Sequence, residues 1–135
     1  MTTTATTPYA ALLLRVSLGV LFIAHALLKL LVFTLPGTVQ YFASLGLPGP
    51  LAYLVFAAEL SGGVLLVLGV YTRWVALALV PIMVGATSVH IGNGWVFSSA
   101  GGGWEFPVYW TVTLFVQFLL GDGALALKPS AAERS

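Results

Sequence analysis

Six ionisable residues stand where apolar sequence should exclude them: Arg15, His25, Lys29, Glu59, His90 and Glu105. Inside a lipid bilayer each costs roughly 2.5–3.5 kcal/mol on insertion scales, so such residues are a functional hypothesis by default. Their chemistry is that of hydrogen-bond donors, proton carriers and ion pairs. The two imidazoles and the Lys29 ammonium can donate to a carbonyl oxygen, and the two glutamates can relay protons. The chain contains no cysteine, so it cannot itself perform thiol–disulfide exchange, iron–sulfur ligation or thiolate chemistry. Any redox role needs a bound cofactor.

Spacing brings most of these groups to one depth. Counting about 1.5 Å per residue along a helix, His25 lies about 24 Å beyond Tyr9, and His90 about 24 Å beyond Trp74. Lys29 is one turn further out, Glu59 lies about 12 Å below the outer start of its own segment, and Glu105 opens the last one. At 100° per residue, Arg15, His25 and Lys29 share an arc of about 80°. The candidate site is therefore a polar pocket of His25, Lys29, Glu59, His90 and Glu105 in the outer half of a bundle. A stripe of Glu105, Tyr109, Thr113 and Gln117 is expected to face the interior beside it. The structural alternative pairs Lys29 with Glu59 or Glu105 and fixes helix register. Arg15 is read as structural, snorkelling to the inner headgroups or meeting Asp122.

The elements that must carry these residues are membrane helices. A chain of 135 residues that is 59% hydrophobic and 7% charged, with a mean hydropathy of +1.03, has more apolar surface than a soluble core of that size can hide. A spanning helix takes about 20 apolar residues. The expected architecture is an all-α membrane protein, a four-helix bundle with spans at about 9–33, 51–69, 74–90 and 104–120. A short interfacial helix lies between the first two spans, started by Pro36, and Pro81 marks a kink in the third. Residues 9–127 form one membrane domain, with disordered polar tails at 1–8 and 128–135. Gly46-Leu47-Pro48-Gly49-Pro50 makes a turn, and Gly121-Asp122-Gly123 stops the last span. Ala58-x-x-x-Gly62 offers a small-residue helix contact, and Gly62, Gly63, Gly69 and Gly85 are read as places of close backbone approach.

Arg73, Lys128 and Arg134 fall on one side of this arrangement, whereas the connections 34–50 and 91–103 hold no Lys or Arg. Both termini are therefore expected in the cytoplasm of a bacterial inner membrane. The threonine-rich start lacks the basic region of a secretory signal, so the first span is read as uncleaved, although Ala24-His25-Ala26 imitates a cleavage site. A formal charge of +1 offers no patch for nucleic acid.

Leu14-Arg15 with Gly19 and Phe22 ahead of His25 and Lys29 forms the first part of a wider pattern. Glu59-Leu60-Ser61-Gly62-Gly63 leads to Gly69 and Thr72-Arg73, Ala86 precedes His90, and Gly103-Trp104-Glu105 precedes the closing Gly121-Asp122-Gly123. In this order and placement the chain resembles the DoxX family of small four-helix membrane proteins over about Leu12 to Asp122. Ala26 stands where family members often carry glycine. The resemblance implies membrane subunits tied to redox metabolism: quinone-linked thiosulfate oxidation in some archaea, and in mycobacteria a complex with superoxide dismutase and a sulfurtransferase.

Three functions compete. The leading expectation is a quinone-interacting subunit that supports a partner oxidoreductase, the five polar residues meeting the quinone head. The second is a non-catalytic scaffold or small-molecule permeation protein. The third is haem or metal binding by His25 and His90 with the two glutamates, which no close ligand spacing supports. Membrane lipid, other redox proteins and a second copy of the chain are the expected partners.

Overall fold

A computed structural model describes residues 3–96, 98 and 102–130. Among these it has five α-helices: α1 (Thr3–Leu27), α2 (Leu35–Ser44), α3 (Leu51–Leu68), α4 (Thr72–His90) and α5 (Glu105–Leu120). A single π-helical segment, Leu28–Val32, continues α1, and a 3-10 turn, Ile91–Asn93, follows α4. Ala5–Val32, Leu51–Leu68 and Thr72–Asn93 are long and apolar enough to cross a membrane, and Glu105–Leu120 is a shorter apolar helix. Leu13, Leu31 and Leu119 are 70%, 71% and 74% exposed, which only an apolar solvent makes cheap. The chain is an all-α, multi-pass membrane protein.

The four long helices close into a ring, α1 on α3, α3 on α4, α4 on α5 and α5 back on α1. Each contributes to one core: Leu18 and Phe22, Leu66, Ala76 with Leu79 and Met83, and Trp110 with Leu114. Two adjacent glycines serve two neighbours, since consecutive residues on a helix point about 100° apart. A Cβ on Gly63 would come within 2.8 Å of the Gly19 carbonyl oxygen, so α1 and α3 cross backbone to backbone. Gly62 faces the other way, where a Cβ would lie 2.9 Å from Leu79 of α4. The tight crossing is thus Gly19 with Gly63, while a Cβ on Gly85 would meet open space.

Both expected polar tails turn out to be partly structured. Residues Thr3–Pro8 belong to α1, and the Pro8 carbonyl accepts from the Ala124 amide at 3.0 Å. The chain after α5 then runs as a strap across that end of the bundle. Leu127 and Lys128 donate to the Leu68 and Gly69 carbonyls at 3.0 Å, and Tyr71 donates to the Lys128 carbonyl at 2.8 Å. Val70 and Lys128 form an isolated parallel bridge. Backbone groups freed at the ends of α3 and α4 thus find partners in a segment whose side chains look like a tail. Residues 1–2 and 131–135, with Arg134, lie outside the described residues, as do 97 and 99–101 of the loop before α5.

Arg15 explains why the strap stays. It is 1% exposed, and its guanidinium donates to four backbone carbonyls: Leu66 at 3.2 Å, Val67 at 3.0 Å, Asp122 at 3.0 Å and Ala124 at 2.8 Å. Snorkelling is thereby corrected, because all three guanidinium nitrogens donate inside the protein. It does meet Asp122, but at the main chain. The Asp122 carboxylate instead accepts from the Thr72 amide at 3.2 Å, at the start of α4, and from the amide and hydroxyl of Ser130 at 2.8 and 2.6 Å. Gly69 is obligatory here: it takes φ +78°, and a Cβ would run into the Arg15 guanidinium.

Candidate functional site

The other end of the bundle carries the predicted site residues, and the local fold of α1 sets their positions. After Leu27 the helix widens for one π turn, Leu28–Val32, with Lys29 inside it. Such single turns change the angular register of the residues beyond them and recur at functional sites. The turn ends at Thr34, whose φ of 65° and ψ of 155° lie in a region almost restricted to glycine, costing about 1–3 kcal/mol. Two groups hold it there. The Thr34 hydroxyl accepts from the Gly37 amide at 3.1 Å, and its carbonyl accepts from the Thr38 amide at 2.9 Å.

Lys29 and Glu59 meet. The Lys29 Nζ lies 2.8 Å from Glu59 Oε1, with 17% and 7% of the two side chains exposed, so the pair bridges α1 and α3 in a largely buried setting. His25, one turn earlier, does not join that pair by a hydrogen bond. Its Nδ1 lies 2.9 Å from the Leu21 carbonyl. A carbonyl oxygen can only accept, so Nδ1 is the donor in this contact, and in the tautomer with its hydrogen there Nε2 is free to accept.

An aromatic cluster frames the imidazole. His25 packs against Trp110 with ring centroids 4.8 Å apart, edge to face, and lies 6.5 Å from Phe106. Trp110 is in turn 4.7 Å from Phe22 and 5.4 Å from Phe106. Trp110 is 4% exposed, and its buried indole Nε1 has no hydrogen-bond partner among the described residues. These rings are the part of the site that attention to charged residues missed. The signal was present, since Phe106 and Trp110 are four residues apart and share a helix face.

The remaining two residues sit at the ends of their helices. His90 closes α4, and Asn93 donates toward its Nδ1 at 3.5 Å, the limit of a hydrogen bond, while also donating to the Gly102 carbonyl at 2.9 Å. Glu105 opens α5 and, with Trp95, Phe106 and Tyr109, lines an open cleft of about 540 Å³. A narrower groove of about 180 Å³ shares Phe106 and Tyr109 with the cleft and runs between α1 and α5 past Leu21 and Trp110. The expected interior stripe does not hold as a unit. Gln117 is fully buried, but Tyr109 is 65% exposed, because residues four apart drift about 40° per step. The buried face of α5 is Pro107, Trp110, Leu114 and Gln117. Among the described residues no group of three or more His, Cys, Asp or Glu could hold a metal ion.

Comparison with known proteins matches this frame. The profile of the DoxX family matches residues 10–92, which covers α1 to α4 with Arg15, His25, Lys29, Glu59 and His90. A Bacillus subtilis (strain 168) protein named "Putative oxidoreductase CatD" is 37% identical over 124 residues, 87% of this chain and 84% of that protein. "Inner membrane protein YphA" of Escherichia coli (strain K12) is 32% identical over 130 residues, 91% of each chain. No solved structure gave a significant match. With the family profile over most of the folded length and two relatives covered almost end to end, the chain belongs to the DoxX family.

Proposed function

We propose that this protein is an inner-membrane subunit of redox metabolism that interacts with quinone and supports a partner oxidoreductase. The observation that carries the reading is His25, its Nδ1 on the Leu21 carbonyl, beside a buried ion pair. A quinol hydroxyl needs an acceptor when it gives up its proton, and His25 Nε2 is one. The Lys29 ammonium and the Glu59 carboxylate, one turn further along, supply a donor and a proton relay for the same headgroup. Phe106, Trp110 and the groove between α1 and α5 offer apolar and aromatic surface for a ring and the start of its tail. Glu105 and His90 complete the pocket toward its mouth. The relative named as an oxidoreductase supports the redox direction, and the relative named as an inner membrane protein supports the location.

In this reading α5 crosses as a fourth span beside α4, although at 16 residues it covers about 24 Å against a core of about 30 Å. Local bilayer thinning or the ring of neighbours takes up the difference. The ten-residue α2 is too short to cross and lies along the surface. Arg73 and Lys128 share the strapped end, so that end and both termini face the cytoplasm.

The test is quinone binding by the purified protein, followed by mass spectrometry of material extracted from native membrane. Binding that is unchanged in His25→Ala and Glu59→Gln would remove these residues from the role. One observation favours a scaffold instead: Lys29 and Glu59 satisfy each other at 2.8 Å and tie α1 to α3. Loss of stability in those variants with no ligand effect, together with stoichiometric partners in the native preparation, would decide for the scaffold.

A further inference from the structure

The strapped end of the bundle turns apolar side chains outward at a cost in backbone strain. Among the described residues Thr34, Tyr71 and Leu125 are the non-glycine residues with positive φ. Thr34 lies at the other end. Tyr71 and Leu125 take +48° and +60°, a left-handed backbone that side chains disfavour, yet their side chains are 48% and 84% exposed. Leu127 is 66% exposed. Between the two leucines Ala126 sits against the bundle, since a Cβ on Gly69 would lie 2.7 Å from its Cα. The depth of this patch is set by the turn beneath it. Only residues 69–71 separate α3 from α4, and both helices are long and apolar enough to cross, so the turn stays at the membrane boundary. The Tyr71 amide donates to the Lys128 carbonyl at 2.8 Å, and the Lys128 amide donates to the Gly69 carbonyl at 3.0 Å. The strap is thereby pinned in the same plane. Trp74, 53% exposed in the first turn of α4, is the kind of side chain that marks that level.

The charge of the patch is cationic. Arg15 is spent on main-chain carbonyls, and Asp122 on two amides and the Ser130 hydroxyl. The other described carboxylates, Glu59 and Glu105, lie at the opposite end. Lys128 is exposed. Arg73 is oriented by one donor, its Nε on the Phe118 carbonyl at 2.8 Å, and its amide donates to the Ser130 hydroxyl oxygen at 2.9 Å, which keeps the two cations on neighbouring segments. We infer that the strap is an interfacial anchor that binds an anionic phospholipid. Leu125 and Leu127 enter the boundary between headgroups and acyl chains, and Lys128 and Arg73 take the phosphate. Apolar area leaving water offsets the left-handed leucine, and basic residues at this level are drawn to anionic lipid. A soluble protein fits the patch worse, because the short turn holds it level with the headgroups. The anchor needs none of His25, Lys29 or Glu59.

The full chain in lipid nanodiscs tests it by two measurements. The native sequence has no cysteine, so Leu125→Cys and Leu127→Cys can each carry one bimane label. Brominated phospholipid should quench both labels, and aqueous iodide should not. In the unlabelled protein, hydrogen exchange at the Leu127 and Lys128 amides should slow about five- to thirtyfold when phosphatidylglycerol replaces part of the phosphatidylcholine. Lys128→Gln keeps the backbone bonds and should lose about fivefold of that slowing, whereas Arg134→Gln should keep all of it. Should a cysteine variant fail to fold, the exchange measurement still decides. Quenching by iodide alone would overturn the anchor and leave the patch to a soluble partner. Equal exchange in the two lipids, or a slowing undiminished in Lys128→Gln, would overturn the headgroup site. So would the same slowing from inorganic phosphate added to phosphatidylcholine discs, which would give the cations to a free anion.

Discussion

Replacing Arg15 with methionine keeps an unbranched apolar stem in place and deletes the guanidinium. Four hydrogen bonds go with it, at 2.8 to 3.2 Å: two close the last turn of α3 and two hold the strap at Asp122 and Ala124. A hydrogen bond to a charged group is worth about 1.5–3 kcal/mol and such bonds within one network do not add. The strap also keeps its backbone bonds to Pro8, Leu68 and Gly69. The strap should therefore lose about 2–3 kcal/mol, which raises its opening equilibrium about 30- to 150-fold. Hydrogen exchange reads this directly at the Leu127 and Lys128 amides, which donate to α3 and its cap. Exchange there should accelerate by that factor while amides in the middle of α3 change less. Arg15→Lys should fall between, because one ammonium cannot reach two carbonyls on α3 and two on the strap from separate nitrogens. Unchanged exchange at 127 and 128 in a folded Arg15→Met protein would refute the clamp.

The Lys29–Glu59 pair calls for a double-mutant cycle. Lys29→Met alone leaves a buried carboxylate and should cost about 3–5 kcal/mol, whereas Lys29→Met with Glu59→Met should recover most of the loss. A double variant as unstable as the single one would show that the pair is not a unit. Gly63→Leu should separate α1 from α3 and lower stability by about 1–3 kcal/mol, read as a lower melting temperature. The absence of cysteine makes topology simple to map. Gly92→Cys, where an added side chain meets open space, should react with an impermeant maleimide on intact cells, and Lys128→Cys only after permeabilisation. The reverse pattern would invert the proposed orientation.

The features legible in the sequence are those that side chains can signal. The apolar runs announce their helices because lipid leaves a helix no other way to satisfy its backbone. The meeting of Lys29 with Glu59 could be read as opposite charges on two runs, deep in apolar sequence. His25 was legible as a polar group in an apolar run, but its bond to the Leu21 carbonyl, four residues back, was not. The strap was illegible for a related reason: Leu127 and Lys128 are bound through their main chain, and backbone bonds leave no mark on residue type. Tyr109 was misplaced because a four-residue spacing approximates 3.6 only over a turn or two. The π turn had no signal at all in composition or period.

The partners of Arg15 also set an order of events. Its bonds to Asp122 and Ala124 span 107 and 109 residues of sequence, so the ribosome delivers the arginine early and its last two acceptors late. Until then α1 resides in the bilayer with a cation whose fork is only partly engaged. Full engagement of that fork waits until residues 122 to 124 have been made. A nascent chain stalled before residue 122 therefore holds only the Leu66 and Val67 acceptors of the four that Arg15 uses.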